Sequence, residues 1–482
     1  MIRKSIDLRR MLNGIVVVLL FTISYQLFTG CTPMPENVQK SSELPPIYPD
    51  YCNVTIPENI APLNFLLRGD YEAIEVKVGD ITLNASGNEA VFDIDDWKAL
   101  LQQAAGQSLS VTVTALIDGK WTEYKPFEWQ VVKDEVDPYL TYRLIEPDYE
   151  IWNHVQIQQR CVENFDVNAI GHYEQLENRC MNCHTYANQS PELSMMYVRG
   201  AGGGAILNRN GKLSKLNIPG SVYFGFSPTG RYITYSTQKI IPAFHSDPSK
   251  RLEVYDASSN VFVADMEEHR VISSPLLCDS LKFETFPTFS PDGKFIYYCA
   301  ADTVSLPTEI RQLQYSLVRI PFDEGTGTIG TEVDTLFNQR SVCHPRISPD
   351  GKFILYTVAD YGTFPIWHPE ADLQMMNLQT GAIDSLAIVN SQKSDTYHSW
   401  SSNSRWFVFA SKRDDGLYGK PYFCYVDKDG KAHKPFCLPQ KHPTFYDNNL
   451  KSFNAPEIGK GKLPFDVEDV AKAMKQEAIP FK

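Results

Sequence analysis

Basic charge is in short supply in this 482-residue chain: 45 Lys and Arg stand against 58 Asp and Glu, for a formal net charge of −13. That balance argues against nucleic acid as a partner, since phosphate binding draws on clustered Lys and Arg. There is no second Cys-x-x-Cys pair and no His-x3-His, so the ligand spacing of a structural zinc site is missing. The dense histidine cluster of a copper centre is missing as well.

The most specific local pattern that is present is Cys180-Met181-Asn182-Cys183-His184. It matches a c-type haem attachment signature, in which two thiols add to the haem vinyl groups and the adjacent imidazole reaches the iron. On this reading Cys180 and Cys183 anchor one covalent haem c and His184 is the proximal iron ligand; a disulfide-forming or zinc-binding CxxC stands as the alternative. Candidates for the distal ligand are His172, Met195, Met196 and His154. Methionine there would raise the reduction potential and histidine would lower it. Each also has a plain reading, the methionines as core and His154 as a surface residue.

The N-terminus points to an export route. Arg3, Lys4, Arg9 and Arg10 precede an apolar stretch over residues 14–28, and Phe28-Thr29-Gly30-Cys31 resembles a lipoprotein cleavage box. Residues 1–30 then read as a signal peptide, Cys31 as the lipidated first residue, and the proline-rich residues 31–53 as a tether. Of the ten cysteines, removal of Cys31, Cys180 and Cys183 leaves seven, an odd number that cannot all pair within one chain. Cys424 and Cys437 flank a turn and are candidates for a disulfide.

The organising feature of the rest is a repeat. GFSPTGRYITYS (225–236), TFSPDGKFIYYC (288–299), RISPDGKFILYT (346–357) and SWSSNSRWFVFA (399–410) align without gaps, their serines at 227, 290, 348 and 401 lying 63, 58 and 53 residues apart. A strand, a Ser-Pro-Asp-Gly turn and a second aromatic strand at this period fit a propeller blade. These strands resemble the propeller repeats of TolB. With GGAILNRNGKLSKLN (203–217) as the end of an earlier blade, the spacing predicts five or six blades over residues 201–458, a sixth being completed by joining strands from both chain ends.

Upstream, residues 54–136 alternate apolar and polar positions between DGK and GN turns, which predicts an immunoglobulin-like sandwich. Between the two β units, residues 137–200 read as a short helical haem segment, with Ile151, Val155, Val162 and Phe165 on one helical face; residues 459–482 read as a tail. The whole arrangement resembles secreted cytochrome c-like TolB-type lipoproteins of Bacteroidetes-like bacteria, carried by DPYLTYRLIEPDYEIW, the CMNCH segment and SFNAPE (452–457). The resemblance implies architecture and compartment, and supplies no substrate. The run after Cys31 lacks the acidic stretch linked to surface export in that group, which favours the periplasmic face of the outer membrane.

A second constellation lies in the repeats. Aligned on the turn serine, His344 replaces Phe286, and His398 falls one position later, where other copies carry Pro287 and Pro345. With Arg346, Tyr223 and Tyr397 these side chains are expected near one mouth of the channel, as a candidate metal or anion site. The resulting expectation for function is a membrane-tethered periplasmic monohaem protein passing single electrons to a redox or cell-envelope partner, with the propeller as its recognition scaffold. The alternatives are a haem-fed oxidoreductase with its active site in the channel, and a propeller binding module without haem.

Overall fold

The computed structural model describes residues 33–146, 154–218, 220–244 and 252–482. Cys31 and the signal segment lie outside them. The chain is mainly β and forms a six-bladed propeller with a two-sheet β unit packed on its flank. Among the described residues no helix is long and apolar enough to cross a membrane.

The blades follow from the alternation of buried apolar and polar positions along each strand. Blade I runs Ser452–Gly459, Tyr139–Ile145, Gln156–Cys161, Val167–His172 from axis to rim. Blade II runs Met181–Tyr186, Leu193–Val198, Gly204–Arg209, Lys212–Asn217, with Ile479–Pro480 on its outer edge. The innermost strands of blades III to VI are Ser221–Phe226, Lys282–Phe289, Ser341–Ile347 and Asp395–Trp400. Blade I therefore takes its axial strand from the C-terminus and its other three from the N-terminal side, which closes the ring without leaving a free edge.

The turn chemistry explains the repeat. In blades III, IV and V the hydroxyls of Ser227, Ser290 and Ser348 accept the amides of Tyr232, Phe295 and Phe353 at 3.0–3.1 Å. The last turn position needs a left-handed backbone, supplied by Gly230, Gly293 and Gly351 at φ 71–72° and by Ser404 at φ 60° in the degenerate copy.

Three expectations change here. The propeller starts at Tyr139 rather than near residue 201, because residues 137–200 supply the outer strands of blade I and the inner strands of blade II. The helical face predicted over Ile151 to Phe165 is absent where the chain is described: Gln156–Cys161 is a strand, paired on both sides. The C-terminal segment is no loose tail, since helix Val467–Met474 packs Val470 and Ala473 into the core beneath blades I and II.

The N-terminal unit is built around Trp97 and Trp129, whose rings meet edge to face at 5.4 Å. Gln39–Lys40 and Ile47–Tyr48, in the segment read as a tether, are already strands of its two sheets. Its core is continuous with that of blades V and VI. Asp137 fixes the joint by accepting from the Ser401 hydroxyl at 3.1 Å and from the Ser402 amide and hydroxyl at 2.6 and 2.9 Å. The cysteines at 424 and 437 sit on neighbouring strands, but Cys437 lies opposite Tyr422 and not opposite Cys424, and the nine described cysteines are all free thiols.

Candidate functional site on the propeller axis

Each axial strand carries a β-bulge at the same place. The bulged residues are Cys183, Tyr223, Phe286, His344, Tyr397 and Ala455, one per blade, all with φ between 42° and 53°. The pairing register breaks at each of them. A left-handed conformation is costly for a non-glycine residue, of order 1 kcal/mol or more. Six in a ring re-aim the following side chains toward the axis. Those that follow directly are His184, Phe224, Pro287, Pro345, His398 and Pro456; next come Thr185, Gly225, Thr288, Arg346, Ser399 and Glu457.

This ring encloses a cavity of about 50 Å³ lined by Arg143, Cys183, His184, Tyr223, His344, Arg346, Tyr397, His398 and Glu457, among others. That is room for a few waters or one small anion. His344 is 4% exposed, its ring centroid 4.1 Å from that of Phe286 and 4.4 Å from that of Tyr397. Neither of its nitrogens has a hydrogen-bond partner. Nε2 of His398 meets the Leu355 carbonyl at 2.9 Å.

Electrostatics divides these groups. Burial, with Arg143 adding to it, pulls His184 down to about 3, although the nearby carbonyls of Thr141 and Ala455 offset part of the effect. Burial likewise takes His398 to about 3, and burial with Arg346 takes His344 well below its ordinary value. All three imidazoles are neutral at pH 7. Burial raises Glu457 to about 7, against the pull of the Tyr186 amide at 3.0 Å, Arg346 and the Thr185 hydroxyl at 3.1 Å. Asp256, near Tyr223, is also raised by burial to about 7. The cavity wall thus carries two guanidiniums, Arg143 and Arg346, and one carboxyl, Glu457, whose ionisation burial opposes. Arg143 hydrogen-bonds Asn454, and Arg346 donates to the Pro345 carbonyl at 3.1 Å.

The geometry overturns the electron-carrier expectation. A haem c motif works when both thiols and the imidazole face one macrocycle. Here Cys183 and His184 lie on the axial strand of blade II and Cys180 immediately precedes it. Cys180 packs in the core of blades I and II with Ile157 and Met181, whereas Cys183 borders a different cluster, with Phe224 and Ile233. The thiols therefore face different cores. The cavities touching His184 measure about 50 and 20 Å³, where a ligand the size of a haem needs roughly several hundred. A larger cleft of about 650 Å³ between blades III and IV touches none of the three motif residues. Among the described residues no group of three or more His, Cys, Asp or Glu is arranged to hold a metal ion. The residues present do not fit a haem, and the monohaem electron-transfer reading is corrected accordingly.

Of the proposed distal ligands, Met195 and Met196 come to His184, Met196 as its cross-strand partner and both as lining of the cavity of about 20 Å³ that His184 borders, whereas His172 and His154 do not. Met195 and Met196 are buried on adjacent positions of Leu193–Val198 and fill two separate clusters. His172 accepts the Glu174 amide at 3.3 Å as the cap of a 3-10 turn. It stacks on Tyr173, as does His154, with ring centroids 4.7 and 4.5 Å apart. By contrast, His344, Arg346 and His398 share the axial cavity with Tyr223 and Tyr397. Sequence reading missed Glu457 and Arg143, because their strands carry no Ser-Pro-Asp-Gly turn. It also missed Cys183 and His184 as channel residues, although Cys183 stands four before Ala187 as His344 stands four before Ser348.

No family model matches the chain, and no curated protein matches it. Among solved structures, a Synechocystis apocarotenoid oxygenase mutant is 12% identical over 84% of this chain and 95% of its own, with a TM-score of 0.40. Prolyl oligopeptidase B from Galerina marginata is 11% identical over 62% of this chain and 44% of its own, at 0.36. A Mycobacterium tuberculosis puromycin-hydrolyzing peptidase is 15% identical over 54% of this chain, at 0.31, and the chain spans 38% of that peptidase. At these values the likenesses carry no functional inference, and the propeller stands on the strand order described above.

Proposed function

We propose that the protein is a ligand-binding propeller of the cell envelope, held there by a lipid on Cys31, whose axial cavity takes a small molecule bearing a carboxylate or similar oxyanion. The observation that carries this reading is the cavity wall that brings Arg143 and Arg346 together with His344, a buried neutral imidazole with both nitrogens unpartnered. An unmet polar group in a low-dielectric site is costly, and an anion that accepts from it relieves that cost. Guanidinium groups suit carboxylates in particular, through paired N–H donors. The volume sets the size limit at a few heavy atoms.

Calorimetric titration with acetate, pyruvate and phosphate, against acetamide and methylammonium as uncharged and cationic controls, tests the reading. One anion site per chain is expected, lost in Arg346→Gln. Equal binding of the neutral and anionic probes, or no binding of any anion, contradicts it.

A further inference from the structure

Cys183 differs from the other described cysteines in standing on the wall of the axial cavity. Seven of the remaining eight are buried, and Cys278 is half-buried but outside this site. The sulfur of Cys183 is held by the Tyr223 amide, which donates to Sγ at 3.2 Å across the blade II–III boundary, and the left-handed backbone at Cys183 fixes its approach. His344, 4% exposed and with both ring nitrogens unpartnered, lines the same space, so the cavity has polar capacity that the protein itself does not fill.

We propose that Cys183 captures the bound anion covalently, and that the ligand class is a small 2-oxo acid. This rests on the anion reading above. Arg346 and Arg143 take the carboxylate, which brings the adjacent carbonyl carbon to the thiol. A C–S bond forms, the carbonyl π pair moves onto oxygen, and the thiol proton ends on that oxygen, giving a thiohemiketal. No oxidant or reductant is consumed, and the step reverses by the same path. Glu457, on the same cavity wall and raised by burial to about 7, is suited to carry the proton between sulfur and oxygen.

Alkylation of the full folded chain tests this, with peptide mass spectrometry reading Cys183 and Cys278 in the same sample. Iodoacetate is expected to label Cys183 faster than neutral iodoacetamide by about tenfold relative to the ratio at Cys278, a modest part of what a nearby guanidinium gives an anion. Arg346→Gln should collapse that preference while leaving Cys278 unchanged. Pyruvate should protect Cys183 more strongly than lactate, which matches it in charge and size but has no electrophilic carbon. If Arg346→Gln fails to fold, Arg143→Gln gives the same reading. Equal protection by pyruvate and lactate overturns covalent capture while sparing the anion site. Failure of both alkylating agents at Cys183 overturns the proposal outright, and the calorimetric titration then judges the anion reading separately.

Discussion

Replacing His398 by glutamine should make the protein more resistant to acid. His398 is 5% exposed and is held near pKa 3 by burial, against an ordinary value of 6.5. Between pH 7 and pH 5 the unfolded chain takes up a proton at this position and the folded chain does not. A depressed folded pKa contributes stability that is present above 6.5 and is lost as pH falls toward 3. At pH 5 the loss relative to pH 7 is about 2 kcal/mol for this one residue. Glutamine keeps a donor for the Leu355 carbonyl but cannot titrate. Glu457, whose folded pKa is raised to about 7, works in the opposite sense: its contribution is greatest below 4.5 and fades as pH rises through 7, so the wild-type profile alone is blunted. The difference between variant and wild type cancels that background. Urea unfolding at both pH values should show the variant gaining about 2 kcal/mol on wild type between pH 7 and pH 5. A difference that stays constant to within about 0.5 kcal/mol would refute the claim of a buried, neutral His398.

Other expectations follow from the same geometry. Ser348→Ala removes a buried hydroxyl that donates to Asp350 at 2.6 Å and accepts the Phe353 amide, and should cost about 1–3 kcal/mol in urea unfolding. Gly225→Ala puts a Cβ 3.2 Å from both the Pro287 carbonyl oxygen and Thr288 Cα, between blades III and IV, and should cost about 1–3 kcal/mol because backbone on that side cannot yield. Co-expression with a haem c maturation system should leave the peptide that carries Cys180 and Cys183 at its unmodified mass; a haem-linked mass on that peptide would reinstate the electron-carrier reading.

The propeller was legible where its turn chemistry is explicit. Ser227, Ser290 and Ser348 each bind the amide five positions on, so the Ser-Pro-Asp-Gly spelling and the backbone geometry are one fact. Blade II hid because Ala187 stands in the serine position and one extra residue precedes Leu193, whose carbonyl accepts the Ala187 amide. Its axial strand then read as a haem motif, a pattern of residue types that says nothing of whether the segment is strand or helix. Cys180 precedes the strand and Cys183 is its bulged residue, so the spacing alone does not set the two thiols on one face. Blade I was hidden by closure, since Glu457 and Arg143 meet only when strands from distant parts of the chain pair across the register break between Thr141 and Arg143. The apolar spacing of Ile151, Val155, Val162 and Phe165 imitated a helical face, but the strand Gln156–Cys161 is fixed by pairing with both neighbours, and tertiary pairing overrides local pattern.

The central claim is that the channel holds an anion between two arginines. Anomalous diffraction from crystals grown in selenate, an oxyanion whose selenium can be located directly, tests it most plainly. The account predicts a peak on the propeller axis within reach of Arg143 and Arg346 that disappears in Arg346→Gln crystals. Selenate confined to surface lysines, with the axis showing only water, would contradict it.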